Sequence, residues 1–533
     1  MPDAVASPLP RVTALLLLVG SSLITILTGC SDSKSDSSSD TPSASSSSAD
    51  GAAASGRTSV APPAACPWCS DRRLRANEGT QRSLIAAPGF ALAREPRLLE
   101  EKVTGQQTKP SSVLGLLPEP AATPAVAETW VSAWGGRGPL STTITTDRTL
   151  EDPVPDLSGR TLRLMAHLTT GGNQVRVRFS QRFSSSTLDV GAAHLAVRSS
   201  GSAIVPATDR ALTFDGASSV AVPAGADVWS DPINLAVVAG DDLAISVYVP
   251  GAFIPTTQGG RGQLKTSYHQ PGNQVSAASL TQAQTTRRVF VAYEVQVLSP
   301  DPAATIVTLG DSITEGACST LDANGDWPDL LSKRLPALRD GTRLAVFNAG
   351  IGSGRFASSD GAGVRGLSRL DELLVLPNLA SVLILMGVND ISYEHVDAVF
   401  LQDAYVQAIL AAHEAGTRII GIPILPFGGS SKDVGENVQV AREVNDWMRA
   451  HDKLRGASEP SFDAVIDLED VVKDPMDPGW ALRPSLTCDG VHPNQAGYDA
   501  IANAFPLDVF DEAAPSSGPP DAGVSLATRA SGR

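Results

Sequence analysis

The sequence predicts two folded domains of different class: an all-β sandwich over residues 127–299, then an α/β domain built on a parallel sheet over residues 300–512. Three observations predict this. Between Glu128 and Leu298 apolar residues recur at every second position, the period of strands with one buried face. After Pro302, near-continuous apolar runs alternate with helix-length segments, as a sheet covered on both faces requires. The chain's 533 residues, 42% of them apolar, suffice for more than one core.

Residues 1–30 differ in kind from the rest. Arg11 precedes an apolar run from Val12 to Leu27, broken by Gly20, Ser21 and Ser22, and the run ends in Leu27-Thr28-Gly29-Cys30. It is too short to span a bilayer comfortably and suits a secretory signal peptide. Its ending resembles a bacterial lipoprotein lipobox, which implies cleavage before Cys30 and a lipid on that thiol. The expectation is an exported lipoprotein, periplasmic or cell-surface, held to a membrane by its N-terminal anchor.

Residues 31–126 read as a disordered or irregular tether. Ser31 to Ser59 has hardly any apolar side chain to offset the entropy of ordering, and residues 60–126 are proline-rich, with a short helix near Leu98–Val103. Cys66-Pro67-Trp68-Cys69 reads as a local bridge, because no second cysteine pair completes a metal site. Residues 513–533 read as a disordered tail. The net charge of -16, without a dense basic block, excludes nucleic acid as a partner.

In the β region, Leu162, Leu164, Ala166 and Leu168, then Val175, Val177 and Phe179 after Gly171-Gly172-Asn173, predict a hairpin. Further strands are expected at Leu243–Val249 and Val289–Val297. Arg176, Arg178 and Arg182 fall on the opposite, solvated face. Trp130 and Trp134 share parity in a first strand and are expected in the core.

In the α/β region, strands are expected at Thr305–Leu309, Leu344–Phe347, Val382–Met386, Arg418–Leu425 and Ala464–Leu468. Asp326 is an N-cap candidate with Pro328 in the first turn, and a second helix runs from about Leu401 to Ala415 before Gly416. Ligands of such folds bind beyond the carboxyl ends of the strands. The chemically suggestive residues fall there: Ser312 after the first strand, the Gly350–Gly354 loop after the second, and Asn389 after the third.

Gly310-Asp311-Ser312-Ile313-Thr314 and Asp489-Gly490-Val491-His492-Pro493 together offer a hydroxyl, an imidazole and a carboxylate. Serine is a weak nucleophile until a neighbouring base takes its proton, so ester chemistry needs these groups in that relation. With Gly387-Val388-Asn389-Asp390 between them, residues 303–511 resemble the SGNH hydrolases of the GDSL esterase and lipase superfamily. The resemblance implies a flavodoxin-like, doubly wound sheet and a serine esterase, with Ser312 as nucleophile, His492 as base and Asp489 as the residue that orients it. It also implies an oxyanion hole formed by the Ser312 N–H, the Asn389 amide and one N–H of the second-motif loop. Counting from Asn348 assigns that N–H to Ser353, with Gly354 as the alternative. The substrate is expected to be a small-molecule or polymer-borne ester, with no cofactor and no metal.

If the first and last motifs meet, Cys318 and Cys488 approach each other and are a candidate disulfide stapling the active-site loops. Blander readings stand beside these: His492 as cap of the following helix, Asn389 as a turn residue. Asp322-Ala323-Asn324-Gly325-Asp326 is explained by an Asn-Gly turn rather than a calcium loop. Two other functions compete with the esterase. One is a carbohydrate-binding surface lipoprotein with a deacetylase or vestigial hydrolase domain; the other is a phosphate cradle at the Gly310 loop. The second leaves Asp489 and His492 without a role.

Overall fold

The computed structural model describes residues 128–135, 140–141, 154–258, 265–335, 338, 340–358 and 364–511. The signal segment with Cys30, the tether with Cys66, Cys69 and the expected helix near Leu98, and the C-terminal tail lie outside the described residues. All described residues belong to one compact unit, Leu114–Arg533. Among them, no helix is long and apolar enough to cross a membrane.

Two large antiparallel sheets dominate the N-terminal part, beside two short two-stranded ones. One runs in the order Thr129–Gly135, Ala292–Ser299, Gly172–Ser180, Asp227–Trp229, with Ile233–Val237 also paired to Gly172–Ser180. The other runs Gln284–Thr286, Ser267–Pro271, Arg160–His167, Asp242–Val249, Ala192–Ser200, Ala203–Ile204. The expected hairpin is therefore absent, because Arg160–His167 and Gly172–Ser180 belong to different sheets. Leu162, Leu164, Ala166 and Leu168 do form one apolar row and Val175, Val177 and Phe179 another, all in a single core cluster. They face each other across the sandwich instead of lying side by side, and each of these leucines, valines and the phenylalanine contributes about 1.5–3 kcal/mol by leaving water. The crossing segment is held by Thr169, whose N–H donates to the Ala133 carbonyl at 3.0 Å.

The first strand corrects a second expectation. Its register shifts between Ser132 and Trp134, so equal parity no longer means one face. Trp134 lies in the core, whereas Trp130 is half-buried beneath the Arg176 guanidinium, 4.4 Å from the ring centre. Arg176 also sits over Trp229 and bonds Gln296, while Arg178 pairs with Glu294 and Arg182 with Glu372. The three arginines are thus engaged rather than simply solvated.

The C-terminal part carries a five-stranded sheet, parallel throughout, in the order Arg343–Gly350, Ala303–Gly310, Leu379–Leu385, Arg418–Gly421, Ala464–Val465. The last two ladders are shorter than the apolar runs that predict them. Separate apolar clusters flank the sheet. One takes Leu401, Tyr405 and Ile409 from helix Ala398–Glu414 and Val444 and Met448 from helix Asn437–Ala450. The other takes Trp327 and Leu331 from helix Trp327–Ser332 and Tyr498 and Ile501 from helix Gln495–Ala504. Asp326 caps Trp327–Ser332 by accepting from the Asp329 N–H, and Pro328 occupies its first turn.

The sandwich meets the parallel sheet along its outer strand. Thr169 Oγ1 donates to the Val346 carbonyl at 3.0 Å and lies 2.9 Å from the Val346 N–H that donates to it. The Ser132 N–H donates to Thr305 Oγ1, and Ala303 and Ala345 join the sandwich core cluster. The loop after the Ser312 helix reaches the other sheet: Asp322 accepts from Thr266, and Asn324 Nδ2 lies 2.9 Å from His167 Nδ1.

Candidate active site

The strand Ala303–Gly310 delivers its last residue directly into a four-residue helix, Ser312–Glu315, whose first position is Ser312. Asp311 caps that helix by accepting from the Ile313 N–H at 2.9 Å. Glycine is required on both sides of this turn: a Cβ at Gly310 would lie 2.0 Å from Thr314 Oγ1, and one at Gly350 would lie 2.3 Å from the Glu315 nitrogen. Asn348 braces the arrangement, its Nδ2 donating to the Thr314 carbonyl at 2.8 Å. Burial pushes the Asp311 carboxyl up to about 6, against the opposing pull of the Ile313 N–H, His492 and Lys432.

The last motif is a tight turn between Thr487 and Pro493, with Gly490 at φ 82°. It brings His492 Nε2 to 2.8 Å from Ser312 Oγ and His492 Nδ1 to 2.7 Å from Asp489 Oδ2. The other Asp489 oxygen accepts the N–H groups of Val491 and His492 at 2.9 and 2.8 Å. Burial alone would raise the Asp489 pKa, but the bonds from the His492 N–H, its ring and the Val491 N–H outweigh it and hold the carboxylate below its ordinary range. The helix that follows is capped by Asn494, which accepts from the Gly497 N–H, so capping is not the work of His492.

Asn389 opens the helix Val388–Glu394. Its Nδ2 donates to the Gly354 carbonyl at 3.0 Å, and its Oδ1 accepts from Lys432 Nζ at 2.9 Å. The Gly354 N–H donates to the Ile351 carbonyl at 2.9 Å, whereas the N–H groups of Ser312 and Ser353 donate to no other described residue. Ser353 sits at φ 60° and is exposed. The neighbouring Asp390 is buried and ties this loop down, accepting from the N–H groups of Phe356, Ala357 and Ser358 and from the Ser358 hydroxyl at 2.7–2.9 Å.

Cys318 and Cys488 are bonded to each other, with Cα atoms 6.4 Å apart and a sequence separation of 170. Their sulfurs, with Asp489 and His492, lie within 4.8 Å of one another. That donor set does not fit a metal, since each sulfur is spent on the other and the imidazole is committed to Asp489 and Ser312. Thus Ser312, Asp489 and His492 converge, with Ser353 on an adjoining loop and Asn389 in the first turn of an adjoining helix.

Sequence reasoning missed three residues here. Asp390 carried a signal, an acidic residue directly after Asn389 in a helix's first turn. Asn348 carried a weaker one, as the polar end of an apolar strand. Lys432 carried none, being one cation in a glycine- and serine-rich loop.

Residues 308–500 match the GDSL-like Lipase/Acylhydrolase family. No curated protein matches the chain. Among solved structures it is similar to a carbohydrate acetylesterase from Sinorhizobium meliloti, at 14% identity and TM-score 0.30, covering 39% of this chain and 97% of that one. It is also similar to the M. smegmatis aryl esterase (17%, 0.29, covering 38% and 95%) and to a GDSL-like lipase from Bacteroides thetaiotaomicron (19%, 0.28, covering 38% and 84%).

Proposed function

We propose that this chain, whose residues 308–500 match the GDSL-like lipase/acylhydrolase family, is a serine hydrolase of carboxylic esters that works through Ser312, His492 and Asp489 by way of an acyl-enzyme. The observation that carries this reading is the pair of contacts on one imidazole, 2.8 Å to the Ser312 hydroxyl and 2.7 Å to the Asp489 carboxylate.

Ser312 Oγ attacks the ester carbonyl while His492 Nε2 takes its proton. Asp489 keeps the proton on Nδ1 and stabilises the imidazolium that forms. The carbonyl oxygen becomes negative and receives the N–H groups of Ser312 and Ser353 and the second Nδ2 hydrogen of Asn389. Ser353 is preferred to Gly354 because the Gly354 N–H is already spent on Ile351. As the intermediate collapses, the leaving alcohol takes the proton from Nε2 and departs, leaving the acyl group on Ser312. Water, deprotonated by His492, then releases the acid and restores the hydroxyl. The order of the parallel sheet, second strand at the edge, then first, third, fourth and fifth, with apolar clusters on both faces, supports a flavodoxin-like, doubly wound reading of the fold.

Ser312→Ala should abolish p-nitrophenyl acetate hydrolysis in a protein of unchanged melting temperature; turnover at the parent rate would sink this reading. We further propose an exported, lipid-anchored protein, supported by the Leu27-Thr28-Gly29-Cys30 ending and by a cysteine pair suited to an oxidising compartment. Metabolic palmitate labelling should disappear in Cys30→Ser, and label that survives the change refutes the anchor.

A further inference from the structure

We propose that Lys432 is a positioning residue of the oxyanion hole, locking the Asn389 amide in its donating orientation and setting a positive charge one amide group away from the oxygen that turns negative. The proposal rests on the esterase reading above.

The two ends of an asparagine amide have nearly the same shape and opposite polarity, so orientation must be imposed by neighbours. Here it is imposed from both sides. The Gly354 carbonyl can only accept and takes Nδ2 at 3.0 Å; the Lys432 ammonium can only donate and takes Oδ1 at 2.9 Å. A flipped amide would set oxygen against oxygen and NH2 against ammonium, losing both bonds. In the locked orientation, one Nδ2 hydrogen is used on Gly354 and the other is left for the reacting oxygen. The ammonium on Oδ1 also draws electron density through the amide, which makes that second N–H a better donor.

The ammonium is itself held. It lies 3.5 Å from the centre of the Tyr393 ring, and the Arg355 guanidinium lies 5.2 Å from the same ring. The Lys432 carbonyl accepts from the buried Asn437 Nδ2 at 2.8 Å, and its N–H donates to Ser430 Oγ at 3.1 Å. No carboxylate of the described residues forms an ion pair with Lys432, and the buried Asp311 carboxyl is the one beside Ser312 that feels its charge. A cation already fixed on Oδ1 costs no reorganisation when charge develops, so its effect reaches the reacting oxygen through the Asn389 amide.

The test is steady-state p-nitrophenyl acetate hydrolysis by Lys432→Met and Lys432→Arg, each alone and combined with Asn389→Ala. Lys432→Met should lower kcat about 10-fold with KM within about twofold, less than the about 100-fold to 1000-fold expected for Asn389→Ala, which removes a direct donor. Lys432→Arg should recover most of the loss. In the Asn389→Ala background, Lys432→Met should cost less than about twofold more, because its target is gone. A folded Lys432→Met enzyme with parent kcat overturns the proposal, as does a 10-fold loss that persists without Asn389. A loss confined to KM and not rescued by arginine also overturns it, by assigning Lys432 to loop structure. Ser312→Ala run alongside keeps the two readings apart: activity surviving that change sinks the esterase mechanism itself.

Discussion

Two histidine–aspartate pairs in this molecule have nearly the same geometry and opposite surroundings. His492 Nδ1 lies 2.7 Å from Asp489 and His167 Nδ1 lies 2.8 Å from Asp242. In the sandwich, His167 is 5% exposed, and Asp242 Oδ1 and Asn324 Nδ2 both lie against its Nδ1. Asp242 also takes the buried Lys265 at 2.9 Å and Arg198 at 2.8 Å. At the other site His492 keeps 21% of its side chain in solvent and turns its second nitrogen to the Ser312 hydroxyl. An imidazole on a carboxylate is therefore not by itself a sign of catalysis. What distinguishes the pair proposed as catalytic is a hydroxyl proton within reach of its far nitrogen and exposure to solvent; the other pair is sealed among cations and braces the structure.

The contrast breaks first at Asp489. Asp489→Asn removes the charge that stabilises the imidazolium and should lower kcat by about 1000-fold or more in stopped-time ester assays, with little change in melting temperature. The equivalent change in the sandwich should do the reverse. Asp242→Asn leaves the buried Lys265 without its carboxylate, so urea denaturation should report a loss of about 3 kcal/mol, with kcat within about twofold of the parent. That loss carries a pH signature. Burial would raise the Asp242 pKa, but the His167 and Lys265 contacts overcome it and depress it well below its ordinary 3.8. A carboxylate depressed on folding contributes stability above its unfolded pKa and loses it as pH falls toward the folded one. The gap between parent and Asp242→Asn should therefore be full at neutral pH and narrow below about pH 4, the unfolded value setting the upper edge of the window. A gap that stayed constant to pH 3 would show that Asp242 acts through shape rather than charge.

Much of the fold was legible because hydrophobic period reports burial directly. The five parallel strands, the Asp326 cap and the stop at Gly416 all follow from local rules that the packed molecule keeps. What period does not report is the partner. Leu162–Leu168 and Val175–Phe179 each announce one buried face, and that is equally true of neighbours in a hairpin and of rows facing each other across a sandwich. Parity failed at Trp130 for a related reason, since a register shift at Ser132 is invisible in composition. At the candidate site, the convergence of Ser312, Asp489 and His492 was legible because their motifs are short and local. The contact of Lys432 with Asn389 was not, because it depends on where the loop after Phe427 comes to rest, and nothing in the loop's own residues encodes that.

The Thr169 hydroxyl both gives to and receives from Val346, occupying hydrogen-bonding positions on the outermost strand of the hydrolase sheet. Phe347 beside it lies so close to Gly135 that a single added carbon there would stand 2.5 Å from its ring. Severing the chain near residue 300 would uncap that strand and bare this aromatic to water, leaving a margin ready to pair with the same margin of another molecule. Clumping, rather than a leaner enzyme, is the expected fate of the hydrolase half on its own. The sandwich is in this sense a cover for the edge of the parallel sheet.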